Sequence, residues 1–143
     1  MILVDTNLLL DAGIRQSVRH DRARQWLDEQ ISSGASVGLP WHSLLGFVRL
    51  ASNPAVSLRI ASVTEAWTTV QAWLGAANVW IPQPTERHAE VIGAFISSGP
   101  IVSRMVMDMH LAALAIEHDM TLCSGDRGFA RYPNLRWIDP LAA

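Results

Sequence analysis

The chain contains no lysine, and all eleven of its basic side chains are arginine. This absence excludes three classes of protein in which a lysine is essential, namely P-loop nucleotide hydrolases, receiver domains and phosphatases of the haloacid dehalogenase type. Those phosphatases also need a second aspartate two residues after the first, and here Asn7 follows Asp5 at that spacing. The net charge of -2 gives no overall basic character to drive sequence-independent binding of nucleic acids. Any contact with a nucleic acid is therefore expected to be local.

Cysteine and long apolar runs are also scarce. The single cysteine, Cys123, rules out a disulfide framework or a thiolate zinc site within one chain, and its apolar neighbours predict a buried, inert thiol. No apolar run approaches the ~20 residues needed to cross a bilayer, and the first residues lack the pattern of a signal peptide. We expect a cytoplasmic protein with no membrane association.

Short strands and helices alternate along the 143 residues, half of which are hydrophobic. Apolar runs predict strands at 2–4, 35–39, 78–81, 121–124 and 136–138. Helical spacing predicts helices over about 20–33, from Pro40 to about 52, after a capping box at Ser62–Glu65, over about 85–97 and over 104–118. This alternation predicts one α/β domain over residues 1–143, with a mostly parallel sheet flanked by helices.

Two of these helices carry specific predictions about burial. The helix that begins at Pro40 is expected to be almost wholly buried. The helix over 85–97 is expected to turn five side chains inward: His88, Val91, Ile92, Phe95 and Ile96. Gly34 is placed to end the first predicted helix.

Three aspartates have related positions in this pattern. Asp5 ends the first strand, Asp126 follows the strand at 121–124, and Asp108 lies early in the last helix. Ligands bind at the carboxyl ends of parallel strands, so we group these carboxylates into one site. Each has a structural alternative: Asp5 can cap the loop after the first strand, Asp108 can pair with Arg104, and Asp126 can be a turn residue.

Carboxylates that are forced together repel one another unless their pKa values rise or a cation binds. Their hard oxygen atoms favour Mg²⁺, or alternatively Mn²⁺, which leaves coordination positions for water and phosphate oxygens. Such an ion can activate a water molecule, so the sequence predicts hydrolysis of phosphodiester bonds.

Several strings in the chain carry a family resemblance. They are residues 4–10 (VDTNLLL), 108–115 (DMHLAALA) and 124–129 (SGDRGF), together with 41–54 (WHSLLGFVRLASNP) and 129–137 (FARYPNLRW). In this order and spacing they resemble the PIN-domain ribonucleases, and most closely the VapC toxins of bacterial toxin–antitoxin pairs. The resemblance covers nearly the whole chain.

The resemblance implies a metal-dependent endoribonuclease that cleaves tRNA or ribosomal RNA and is blocked by a cognate, VapB-like antitoxin. Asp5 and Asp108 would be the main metal ligands, and Asp126 would bind a second ion or position the attacking water. Hydrogen-bonding support would come from Thr6, Asn7 and Ser124. A homodimer is expected from the family, and Trp41 and Trp67 are candidates for the dimer or antitoxin surface.

The chain departs from the family pattern at one position. PIN nucleases usually carry a glutamate on the helix after the second strand, and Gly46 aligns there. Glu117 is a poor substitute, because nine residues from Asp108 it points to the opposite helix face. A one-ion mechanism therefore stays open, as does a non-catalytic PIN-like module that binds RNA or a partner protein without cutting it.

The remaining polar side chains give weaker signals. Arg104, Arg127 and Arg131 flank the predicted site and could bind RNA phosphates, although exposed arginines need no function. The histidines lack the spacing of metal ligands, so we interpret all five as structural or exposed.

Overall fold

The computed structural model describes residues 1–56 and 61–142, and five of its segments form one parallel sheet. These strands are β1 (Ile2–Val4), β2 (Val37–Gly38), β3 (Val79–Trp80), β4 (Thr121–Cys123) and β5 (Trp137–Ile138). Their order across the sheet is β3-β2-β1-β4-β5, and every neighbouring pair is parallel. The predicted α/β class is confirmed, and the end of β1 lies at the centre of the carboxyl edge.

Six helices surround the sheet in the described part of the chain. They are α1 (Thr6–Gly13), α2 (His20–Ser32), α3 (Trp41–Ala51), α4 (Val63–Leu74), α5 (His88–Ser98) and α6 (Val106–Glu117). Short 3₁₀ segments lie at Ser103–Met105 and Arg127–Arg131. None of the helices in the described ranges is long and apolar enough to span a bilayer.

Two hydrophobic clusters cover the two faces of the sheet. Successive residues of β1 point to opposite faces, so Val4 belongs to the cluster beneath α1 to α4 and Leu3 to the cluster beneath α5 and α6. Both side chains are fully buried. The central strand is thus fixed on both sides, which holds Asp5 in place at its end.

Two sequence signals for helix ends are confirmed, whereas Pro40 has an extended conformation and precedes its helix, which begins at Trp41. Ser62 Oγ accepts from the backbone N–H of Glu65 at 3.0 Å, and Glu65 Oε1 accepts from the N–H of Ser62 at 3.2 Å. Gly34 has a φ of +80°, a left-handed conformation that glycine adopts without steric cost.

The predictions about burial are partly wrong. Helix α3 packs against α1 and α4, and Trp41, Leu45 and Arg49, spaced four residues apart, nevertheless remain exposed. Ile96 was expected inside but is 55% exposed. Its helix, α5, has only α6 as a close helical neighbour among the described elements, so it buries a narrow stripe that includes Val91 and Phe95.

Candidate active site

Asp5 lies between β1 and α1 and is the N-cap of α1, a helix that the sequence patterns did not predict. Its Oδ1 accepts from the backbone N–H of Thr6 at 2.7 Å, and its Oδ2 accepts from Ser124 Oγ at 2.7 Å and from Asn7 Nδ2 at 3.3 Å. The residue is only 8% exposed. Burial raises the pKa of Asp5, and the hydrogen bonds from Ser124 and Thr6 oppose that rise. Since an ionised carboxylate has about four acceptor positions, one is left for a further ligand.

Asn7 joins the start of α1 to the loop after β4. Its amide group donates to both Asp5 and Ser124 Oγ, and its Oδ1 accepts from the N–H of Gly125 at 3.2 Å. An aspartate at this position could make neither of the first two bonds, because an ionised carboxylate only accepts. The predicted supporting roles of Asn7 and Ser124 agree with these contacts. Thr6 supports Asp5 through its backbone N–H, and its hydroxyl donates elsewhere, to Ser43 O at 3.3 Å.

Asp108 is the third residue of α6 and is half-buried. Burial raises the pKa of Asp108, and repulsion by Asp5 and Asp126 raises it further. Its predicted structural alternative, an ion pair with Arg104, does not occur among the ion pairs of the described residues.

Asp126 is exposed and starts the 3₁₀ segment Arg127–Arg131. Its Oδ1 accepts from the N–H of Gly128 at 2.8 Å, and its own N–H donates to Ser124 Oγ at 3.0 Å. The turn interpretation of Asp126 is therefore correct for one of its oxygens. Its charge nevertheless acts on both Asp5 and Asp108 and raises the pKa of each.

The three carboxylates thus lie within electrostatic range of one another at the carboxyl edge of the sheet. In residues 1–56 and 61–142, no three His, Cys, Asp or Glu side chains are arranged to enclose a metal ion. This donor set fits an ion that takes one or two carboxylates directly and keeps several of its waters, as Mg²⁺ does.

Glu117 lies outside this site, as its position on α6 predicts. Its carboxylate accepts from the N–H and the hydroxyl of Thr85, at 2.8 and 2.6 Å, and bonds His88 Nδ1. Burial acts to raise the pKa of Glu117, but these hydrogen bonds outweigh it and hold the pKa below its ordinary value.

His42 is the site neighbour that the sequence reasoning missed. It lies in the first turn of α3, and its side chain lowers the pKa of both Asp5 and Asp108. The sequence does contain a signal for this position of His42. It lies four residues before Gly46, and residues four apart share one face of a helix. The prediction that every histidine is structural or exposed is therefore too simple for His42.

The flanking arginines differ in how closely they approach the acids. Arg131 lowers the pKa of Asp108, and it is held by bonds from its Nε to Gly128 O and from its Nη1 to Met105 Sδ, both 3.0 Å long. Arg104 and Arg127 are exposed.

Cys123 is fully buried, and burial raises the pKa of its thiol to about 12, as expected for an inert thiol.

Gly46 is packed too tightly to accept a side chain. A Cβ atom there would lie 2.7 Å from Thr6 Oγ1 and 3.1 Å from Thr6 Cγ2, beside the residue that hydrogen-bonds Asp5. We therefore expect Gly46→Ala to destabilise the protein by about 1–3 kcal/mol in urea unfolding. Gly93→Ala in α5 is the matched control, since its Cβ meets no atom within 4 Å and the better helix propensity should stabilise. Equal stabilisation by both variants would contradict the expectation.

The acids at the carboxyl edge of a parallel sheet, and the helices that cover both of its faces, agree with one family. Residues 2–135 match the PIN domain. The chain is also 37% identical over 142 residues to ribonuclease VapC37 of Mycobacterium tuberculosis, with 99% of both chains covered. It therefore belongs to the PIN-domain family and, within it, to the VapC ribonucleases, which confirms the predicted resemblance.

Solved structures show the same fold at lower sequence identity. VapBC2 of Rickettsia felis, bound to a DNA fragment from its promoter, has a TM-score of 0.65 and 18% identity, covering 96% of this chain and 98% of that one. VapC20 of Mycobacterium tuberculosis, a sarcin-ricin loop cleaving toxin, has a TM-score of 0.63 and 17% identity, covering 95% and 99%.

Proposed function

We propose that this protein is a divalent-metal-dependent endoribonuclease, the toxin of a toxin–antitoxin pair, that hydrolyses phosphodiester bonds in tRNA or ribosomal RNA. The observation that carries this proposal is the group of three carboxylates, two of which have a raised pKa, at the carboxyl edge of a PIN-domain sheet. The RNA substrate is supported by the names of similar proteins, a ribonuclease and a sarcin-ricin loop cleaving toxin.

Asp5 and Asp108 would hold the ion. When bound, Mg²⁺ or Mn²⁺ polarises a phosphoryl oxygen and makes a coordinated water more acidic. Hydrogen bonds from Ser124 and Asn7 hold Oδ2 of the Asp5 carboxylate in one orientation. Asp126 has one oxygen bonded to Gly128, and its other oxygen would orient the attacking water.

The partners would be a VapB-like antitoxin and a second copy of the chain. A solved VapBC complex is among the similar structures. Trp41 and Trp67 stack with ring centroids 6.4 Å apart, and they remain 37% and 38% exposed. An exposed aromatic pair of this kind suits a contact with another protein. We place the protein in the cytoplasm, where its RNA targets are found.

The proposal is tested by incubating antitoxin-free protein with total tRNA and ribosomal RNA in Mg²⁺, in Mn²⁺ and in EDTA. We expect discrete fragments with either metal and none in EDTA. Asp5→Asn, purified in parallel, should give none in any condition, which excludes a contaminating ribonuclease. Fragments that persist in EDTA or with Asp5→Asn would count against the proposed chemistry.

A non-catalytic module that binds RNA or a partner is the second candidate. Gly46 favours it, because the chain lacks the acid that most PIN nucleases carry there, and a Cβ at this position would clash with the side chain of Thr6. Intact RNA in every lane, from folded protein that binds metal, would support this candidate instead.

A further inference from the structure

His42 lies on the wall of the acidic site that α3 forms. The residue is half-buried, and its ring meets that of His110 edge-on, with centroids 6.1 Å apart. His110 follows Asp108 by two residues on α6, and one turn beyond His42, Gly46 faces Thr6 at the start of α1. His42 therefore packs against α6 near Asp108, and the next turn of its own helix contacts the start of α1 beside Asp5.

The absence of a side chain at Gly46 affects how His42 can interact. Residues four apart share one face of a helix, so a glutamate at position 46 would lie on the same face of α3 as His42. Helix α3 contains no aspartate or glutamate in its sequence. His42 is thus not engaged by a carboxylate of its own helix.

A chain of hydrogen bonds supports the ring against which His42 packs. His88 Nε2 and His110 Nδ1 are 3.0 Å apart, and the other nitrogen of His88 bonds Glu117. Glu117 is itself fixed by two bonds from Thr85, and its side chain is inaccessible to solvent. The position of His110, and with it one side of the His42 ring, is therefore well defined.

RNA that approaches this site meets three carboxylates, which repel its phosphates. Donors are needed at the rim, and Arg131 supplies them on the side of the loop after β4. His42 lies on the α3 side of the same acids. A neutral imidazole has one N–H donor and a protonated one has two, so His42 can donate to an anion in either state.

We propose that His42 is a substrate-binding residue that donates a hydrogen bond to a phosphate oxygen of the bound RNA. His42 lies one helical turn before Gly46, the position at which PIN nucleases usually carry a fourth acid. This inference rests on the proposed function, because it takes RNA as the substrate.

The test measures RNA binding separately from cleavage. Fluorescence anisotropy in EDTA gives the affinity of the full-length protein for labelled single-stranded RNAs of several sequences. We expect His42→Ala to weaken binding about ten-fold for every sequence, because phosphate contacts carry no sequence information. His42→Gln keeps an N–H donor and should recover most of the affinity.

His118→Gln is the matched control. His118 follows α6 at the end away from Asp108, about 15 Å along the axis, and its ring bonds Gln83 O. This variant should bind RNA like the wild type, and circular dichroism should show that all variants are folded.

A second measurement locates the contact. The second measurement uses a series of RNAs that each carry one uncharged methylphosphonate linkage. One of these RNAs should bind the wild type more weakly than unmodified RNA does, but should bind His42→Ala with unchanged affinity. Equal affinity of His42→Ala and the wild type for unmodified RNA would overturn the inference. Loss of affinity for one sequence alone would also overturn it, because that result indicates a base contact. Wild-type protein that binds RNA without cleaving it in Mg²⁺ would reject the nuclease proposal, while the binding difference would still support His42.

Discussion

Asp108→Asn should melt a few degrees above the wild type in EDTA at pH 7, yet cleave RNA about a thousand-fold more slowly in Mg²⁺. Burial and repulsion by Asp5 and Asp126 raise the pKa of Asp108 in the folded protein. A carboxyl with a raised folded pKa favours folding when protonated, and it loses that contribution as pH rises through the unfolded and then the folded pKa. The ionised group therefore opposes folding at pH 7. A neutral amide removes this cost together with the negative charge that would hold a metal ion.

The stability order should reverse when a metal binds. An ion that binds only the folded wild type stabilises it by about 2.7 kcal/mol at one hundred times its Kd. Asp108→Asn should gain much less, so the wild type should melt higher in excess Mg²⁺ or Mn²⁺. The measurement is a thermal melt of both proteins in EDTA and across a metal titration.

Asp28→Asn is the control for this pair of melts. Asp28 is exposed and forms a 3.8 Å ion pair with Arg24 one helical turn away, a contact worth a few tenths of a kcal/mol. Its melting temperature should change little, and metal should stabilise it as it does the wild type. Lower stability of Asp108→Asn than of the wild type in EDTA, or equal stabilisation of both proteins by metal, would contradict this role of Asp108.

The sequence predicted the positions of the acids because strand ends are simple to identify. Apolar runs that stop at an aspartate, in a pattern of alternating strands and helices, place Asp5 and Asp126 at one edge of a parallel sheet. The structure brings both to that edge, on the neighbouring strands β1 and β4, with the charge of Asp108 beside them. This prediction does not require the order of the strands, because the carboxyl ends of all parallel strands lie at the same edge of the sheet.

The sequence predicted less where structure depends on contacts between distant segments. The sequence does not predict helix α1, because the apolar run Leu8-Leu9-Leu10 shows no helical period and the N-cap residue, Asp5, also fits a metal site. His42 and Glu117 are 75 positions apart, yet both belong to one chain of ring contacts and hydrogen bonds. Local spacing cannot reveal such a chain. Gly46 departs from the family pattern, and the physical reason, the close approach of the Thr6 side chain, is visible only in the structure.

Glu117→Ala should lower the free energy of unfolding by about 3 kcal/mol at pH 7. The Glu117 side chain is inaccessible to solvent, and removing its carboxylate leaves the N–H and hydroxyl of the half-buried Thr85 and the ring of His88 without their acceptor. The matched control is Glu86→Ala, an exposed glutamate one residue beyond Thr85, which should change stability by less than about 0.5 kcal/mol.

The dependence on pH distinguishes this role of Glu117 from simple packing. Since the folded pKa of Glu117 lies below its unfolded value, the ionised group stabilises the protein above the unfolded pKa, and this contribution is lost as pH falls through the folded one. Urea unfolding should therefore show the full difference between wild type and Glu117→Ala at pH 7 and a smaller one below about pH 4. A difference that stays constant with pH would mean that the side chain stabilises through its packing, and that its charge does not hold His88 in place.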